Sequence, residues 1–201
     1  MGGGGQPRIS RIGNGILPGV SRVEQADQGS DTVISSVSWV LGNHLEHLTL
    51  SGTGPLSGLG NALDNRIIGN SGANILDGGA AGTDLLTGGD GADQFRFSSL
   101  PLLFSSAAAD RITDFNPSEL DRIRIHRSPF SITATSASLT SVSGSEAVAT
   151  ALLSSSLFVY DTSSGELHWN QNAAEPGAGS GGVLAVLENR ASLTAAQFTL
   201  V

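Results

Sequence analysis

Residues 60–96 read GNALDNRII, GNSGANILD, GGAAGTDLLT and GGDGADQFR, four consecutive units that begin at Gly60, Gly69, Gly78 and Gly88. Each unit opens on Gly-Asn or Gly-Gly, runs through small residues to Asn or Asp, and then places an apolar side chain. The aligned polar positions are Asn65, Asn74, Asp84 and Asp93, and the aligned apolar positions are Ile67, Leu76, Leu86 and Phe95. The third unit carries one extra residue in its turn, at Ala80 or Ala81. Self-similarity at a fixed short period marks a solenoid, in which a unit buries its apolar residue only by stacking on its neighbours. The glycines permit tight turns with positive φ, and one apolar residue per unit points into a narrow interior. A flexible Gly/Ser linker would not hold Ile, Leu and Phe at a constant phase.

The units resemble the repeat-in-toxin (hemolysin-type) nonapeptide GGxGxDxUx, a calcium-binding β-helix repeat. The resemblance implies that six residues of each unit form a turn and three a short strand, with two units per coil of a parallel β-roll. Stacked coils would then align Ile67 with Leu86 and Leu76 with Phe95. Upstream, GSDTVISSVSWVLGNHLEHLTLSG (residues 29–52) is similar to the strand-rich segments that precede such repeats in large secreted bacterial proteins. Downstream, ADRITDFNPSELDRIRI (residues 109–125) resembles the segment that follows the repeats in secreted proteases. Residues 158–172 and 181–201 resemble the carboxy-terminal caps of bacterial surface proteins, some of which are called bluetail domains.

The expected fold is therefore all-β. An irregular segment spans residues 1–28, a β-solenoid spans 29–97, and a mixed, mostly β cap spans 98–201. Alternation of apolar and polar residues places strands at 111–115, 122–125, 157–160, 166–169, 183–187 and 198–200. Residues 98–109 read as a loop or short helical crossover. Ala and Leu dominate residues 145–154, and Ser145 with Glu146 suits a helix start.

Calcium is the expected cofactor. It is a hard cation that takes six to eight oxygens, which repeat turns supply as carbonyls and carboxylates. Two units per coil pair the first unit with the third and the second with the fourth. One site would use Asn65 and Asp84 with carbonyls of the Gly78, Ala80 and Gly82 turn. The other would use Asn74 and Asp93, with Asp90 nearby. The family pattern has Asp at both positions of each pair, so each Asn removes one negative charge from its site. The competing reading has amide and backbone ladders holding these turns without metal.

Other motifs carry less. His44-Leu45-Glu46-His47 has the wrong spacing for HExxH and lies on a strand pattern, so both rings read as solvent-facing residues. Gly52, Gly54 and Gly58 follow a strand, but no helix pattern follows where a bound phosphate would need a helix amino terminus. Asp110, Asp114 and Asp121 could supply a further calcium site, although capping turns and pairing with Arg111, Arg122 and Arg124 is the simpler role. No Ser-His-Asp ordering or paired-carboxylate spacing indicates catalysis.

The 201 residues carry a net charge of -8, and all ten positive side chains are Arg. That balance excludes the basic footprint of a nucleic-acid binder. With Cys 0, there is no disulfide framework. Residues 1–10 are Gly-rich and lack the apolar stretch of a cleaved export signal, and residues 147–160 are too short and serine-rich to span a bilayer. The sequence thus reads as a non-enzymatic, calcium-binding module of a secreted or cell-surface protein. By resemblance, type I secretion would read a signal at its apolar carboxy terminus, although Gln197 stands where related tails carry Asp. The alternative is a carbohydrate- or surface-binding module independent of calcium, with Trp39 and Trp169 as stacking platforms. A polysaccharide-active enzyme fragment is the more distant alternative.

Overall fold

The computed structural model describes residues 9–12, 29–100, 105–171 and 181–201. The chain winds as a solenoid between two parallel sheets, and successive strands fall alternately on one sheet and the other. The strands in chain order are β1 (Ile9–Ile12), β2 (Thr32–Ser35), β3 (Trp39–Val40), β4 (His47–Leu50), β5 (Ser57–Leu59), β6 (Arg66–Ile68), β7 (Ile75–Asp77), β8 (Leu85–Thr87), β9 (Gln94–Phe97), β10 (Asp110–Ile112) and β11 (Arg122–Ile125). One sheet runs β1-β2-β4-β6-β8-β10, and the other runs β11-β9-β7-β5-β3.

Each repeat makes one strand of three or four residues, because only its apolar centre can face inward. The register stacks Leu48, Ile67, Leu86 and Ile112 on the first sheet. On the second it stacks Gly58, Leu76, Phe95 and Ile123. Apart from Gly58, all of these side chains are buried, and Phe95 packs on Phe115 with ring centroids 5.9 Å apart. Gly58 is small for a reason: a Cβ there would press on Leu48 and Ile67 at 3.0 and 3.1 Å. The expected alignment of Ile67 with Leu86 and of Leu76 with Phe95 is what the strands adopt.

The carboxy-terminal half extends both sheets. Strands β12 (Leu139–Val142), β13 (Phe158–Asp161), β14 (Glu166–Trp169) and β15 (Gly182–Leu187) continue the first sheet beyond β10, with β14 antiparallel to both neighbours. Strand β16 (Phe198–Leu200) pairs in parallel with β11 and ends the second sheet. Helix α1 (Ser145–Ala151) is shorter than the expected 145–154 and buries Val148 and Ala151 against Val159.

Strand β1 departs from the irregular segment expected over residues 1–28, since it pairs in parallel with β2 along its whole length. The rest of that expectation, residues 1–8 and 13–28, lies outside the described residues, as do residues 101–104 of the crossover. Strand β12 is an addition to the expected strands, because Leu139–Val142 (LTSV) has too little apolar contrast to alternate. Among the described residues, no helix is long and apolar enough to cross a membrane.

Candidate metal centre

Stacked coils place the turns in two columns along the edges of the roll. Residues 42–46, 61–65, 79–84 and 105–110 form one column, and residues 51–56, 70–74, 89–93 and 116–121 form the other. Asn65 and Asp84 immediately precede their strands and Asp110 is the first residue of β10, so the three follow one another down one edge. Asn74, Asp93 and Asp121 do the same down the other.

Each carboxylate reaches back one coil and accepts a backbone N–H. Asn65 N donates to Asp84 Oδ1 at 2.8 Å, and Asp84 N donates to Asp110 Oδ1 at 3.0 Å. On the opposite edge, Asn74 N donates to Asp93 Oδ1 at 2.7 Å and Asp93 N to Asp121 Oδ1 at 2.8 Å. The second Asp121 oxygen accepts from Asn116 N at 2.8 Å, and Asp114 accepts from Gly88 N and Gly89 N at 2.9 Å each. Asp110, Asp114 and Asp121 therefore cap turns as expected, but the expected arginine pairing does not form. Arg111 Nε bonds Glu188 at 2.6 Å, Arg122 donates to Ala196 O, and Arg124 donates to Gln94 Oε1 at 3.1 Å. These side chains lie on the outer faces of β10 and β11, whereas the aspartates lie at the turns.

The result is a run of buried and half-buried carboxylates down each edge, with no ion pair to any of them among the described residues. Burial, then the facing Asp110 carboxylate, pushes Asp84 well above the usual carboxylate range, and burial raises Asp110 also. Asp93 is pushed up to about 7, mainly by burial and then by the charges of Asp121 and Asp114, against the pull of its bond from Asn74 N. Asp121 is raised by burial too. Asp93 Oδ2 is buried and has no hydrogen-bond partner. A cavity of about 20 Å³, room for roughly one water or ion, is lined by Asp84 and Asp110, by Gly79, Ala80 and Gly82, and by the Asp77–Arg96 ion pair.

The carboxylate oxygens suit a hard cation, since no His or Cys lines the cavity beside Asp84 and Asp110. Among the described residues, no group of three or more His, Cys or acidic side chains converges on one point. Any cation would therefore draw most of its ligands from carbonyls. Gly78 is buried with its α-carbon against the Asp84 carboxylate, while Asp90 and Ala80 are exposed at the turn tips.

Asn65 and Asn74 are placed differently from a ligand pair. Asn65 Oδ1 accepts from Asn61 N at 2.7 Å, and its Nδ2 donates to Leu45 O and Glu46 O at 3.1 and 3.4 Å. Asn74 Oδ1 accepts from Asn70 N at 2.7 Å, and its Nδ2 donates to Asn70 Oδ1 at 3.0 Å. The Asn65 amide reaches the coil above, and the Asn74 amide bonds Asn70 within its own turn. The facing carboxylates occur one coil below, as Asp84 with Asp110 and Asp93 with Asp121. The nonapeptide alignment ends with the fourth unit, so these partners fall outside the visible period.

The remaining motifs resolve simply. His44 sits in a turn at φ 66°, and His47 Nε2 bonds Ser30 Oγ at 2.8 Å, so the two histidines share no site. Gly52 and Gly54 belong to a turn that leads into strand β5 rather than a helix. Trp169 is only 2 % exposed and meets Phe130 edge-on at 5.1 Å, which removes it as a surface stacking platform. Trp39 packs partly buried against the core, with its indole Nε1 buried.

The raised Asp93 gives a signed pH dependence. Its folded value of about 7 exceeds the unfolded 3.8, so the metal-free fold binds this proton more tightly than the unfolded chain. The destabilisation from ionised Asp93 is fully present above about pH 7 and is relieved as pH falls toward 4. In chelator, Asp93→Asn is expected to be more stable than wild type at pH 8, and the gap should narrow markedly by pH 5. Urea melts of both proteins at the two pH values check this, and a pH-independent gap contradicts it.

No protein-family model matches the chain, and no curated protein matches its sequence. Among solved structures it is similar to the R3 subunit of a mannuronan C5-epimerase from Azotobacter vinelandii, at 27% identity over 81% of this chain and 82% of that one, with a TM-score of 0.43.

Proposed function

We propose that this chain is a non-enzymatic, calcium-binding β-roll module of a secreted or cell-surface protein, which completes its folding on calcium outside the cell. The observation that carries the reading is the pairing of carboxylates on both turn edges, buried Asp84 on half-buried Asp110 and buried Asp93 on buried Asp121, with no ion pair to balance them among the described residues. Buried charges of one sign are costly unless a counter-charge joins them. Asp84 and Asp110 with carbonyls of the Gly78, Ala80 and Gly82 turn would hold one ion. Asp93 and Asp121, with Asp90 at the turn tip, would hold another. Asn65 and Asn74 support these sites from above by donating their backbone N–H groups to Asp84 and Asp93.

The likeness of residues 60–96 to the repeat-in-toxin nonapeptide supports the same reading, as does the two-units-per-coil winding. An extracellular setting supplies calcium at a concentration that sites of this kind need, on the order of 10⁻⁴–10⁻³ M. The carboxy-terminal segment would carry the export instruction before folding as β16 against β11. Calorimetric titration of the chelator-stripped protein with calcium tests the reading, with saturable binding as the expected result.

A further inference from the structure

The four repeat units are of two kinds, and the difference lies at their second residue. Units one and two carry Asn61 and Asn70, whereas units three and four carry Gly79 and Gly89. No residue of the first two units has a positive φ, but Gly79, Gly82, Gly89 and Gly91 lie at φ 119°, 101°, 91° and 110°. The α-carbons of Gly79 and Gly89 rest against the carbonyl oxygens of Asn61 and Asn70, where no side chain fits.

In the Asn units, a side-chain amide occupies the gap to the turn above. Asn61 Nδ2 donates to Gly42 O at 2.7 Å and Leu45 O at 2.8 Å, while its Oδ1 accepts from Leu63 N at 2.8 Å. Asn70 Nδ2 donates to Gly54 O at 3.0 Å and Ser51 O at 3.4 Å, and its Oδ1 accepts from Gly72 N at 2.8 Å. Carbonyl oxygens of two successive turns thus meet a donor of partial positive charge. Asp84 and Asp93 reach up from the Gly units to Asn65 N and Asn74 N. Below those units carboxylate faces carboxylate, Asp84 with Asp110 and Asp93 with Asp121, and Asp93 Oδ2 is left buried without a donor.

We infer that Asn61 and Asn70 stand in for a cation in the upper turn gaps, so the coils they join fold without metal and the calcium requirement is confined to the gaps below Gly79 and Gly89. The confinement rests on the calcium reading above, but the amide role does not. The upper coils then form a metal-independent template on which the lower coils order when calcium arrives. Substitution of Asn by Gly at the second position moves a coil from one class to the other.

The test uses the full chain with Asn61→Asp, which keeps the acceptor for Leu63 N but replaces the donating NH2 by oxygen. In chelator, this variant is expected to lose roughly 4 °C or more of melting midpoint, because the Gly42 carbonyl loses its side-chain donor, the half-buried Leu45 carbonyl loses one of two, and both face a carboxylate. Calcium should restore the loss and raise the bound stoichiometry by one, since the gap then gains a carboxylate beside the Gly42 and Leu45 carbonyls. Asn70→Asp should behave alike on the other edge. A variant that melts like wild type in chelator overturns the amide role, whatever calcium does elsewhere. Hydrogen exchange on wild type tests the confinement. Amides of β6 and β7 should be protected in chelator, while those of β10 and β11 should gain protection only with calcium. A calcium gain spread evenly over all coils overturns the confinement. No gain in any coil overturns the calcium reading, and the melting of Asn61→Asp in chelator still decides the amide role by itself.

Discussion

Leu76→Asp is expected to unfold the roll, whereas Leu85→Asp is expected to cost little. Leu76 has no exposed surface and sits in register between Gly58 and Phe95, in a core filled by one side chain from each sheet. Losing its burial costs about 2–3 kcal/mol. An unpaired carboxylate in its place costs several kcal/mol more after relaxation. Together these approach the whole stability of an ordinary domain, about 5–15 kcal/mol. Leu85 lies one position away on the outer face, half-buried, with Arg66 and Arg111 as its register neighbours. A carboxylate there meets two cations in water, and the change should stay within about 1 kcal/mol. Thermal melts of both variants in saturating calcium separate the two cases. Equal tolerance would contradict inward stacking at Leu76, and equal loss would mean that the outer face at Leu85 is covered.

Calcium is expected to raise the melting midpoint by far more than any surface substitution. A ligand that binds only the folded state stabilises it by RT ln(1 + [L]/Kd), about 2.7 kcal/mol per site when its concentration is a hundred times Kd. Two sites of roughly 10⁻⁴ M affinity in about 10 mM calcium would then add about 5 kcal/mol, or on the order of 10–20 °C for a chain of this size. Asp84→Asn and Asp93→Asn should each remove about half of that gain, because each takes the charge from one edge and leaves the other intact. In chelator neither variant should be less stable than wild type, since each removes an unbalanced buried charge. Melts with and without calcium check both halves. Loss of the full gain in either single variant would mean that the two edges order as one unit.

Much of this architecture is legible because the repeat is short and strict. Fixing Ile67, Leu76, Leu86 and Phe95 at one phase leaves only one way to bury them, and that way sets the strand register. The carboxylate partners are harder to read. Asp110 and Asp121 stand 26 and 28 residues below the residues they touch, while the repeats step by 19, because the crossover and the Pro117–Glu119 turn lengthen the last coil. A strict nonapeptide period therefore stops one coil too soon. Asn65 and Asn74 occupy the right column, but nothing in the spacing says whether an Asn turns its amide up to carbonyls or down to a cation. Alternation locates most of the carboxy-terminal strands but not their order. Sheet order depends on which edge strand is still unpaired when the chain returns, and β15 meets β10 across a long separation in sequence.

The most direct measurement is calorimetric titration of chelator-stripped protein with calcium at pH 8, with magnesium as the comparison ion. Saturable calcium binding at about two sites is predicted, with affinity on the order of 10⁻⁴–10⁻³ M, weakening toward pH 5 as protons compete for the carboxylates. Magnesium should bind far less well, because it demands a near-ideal octahedron and dehydrates reluctantly. No heat and no saturable uptake up to about 10 mM calcium, in protein whose circular dichroism shows the roll already folded, would contradict the account.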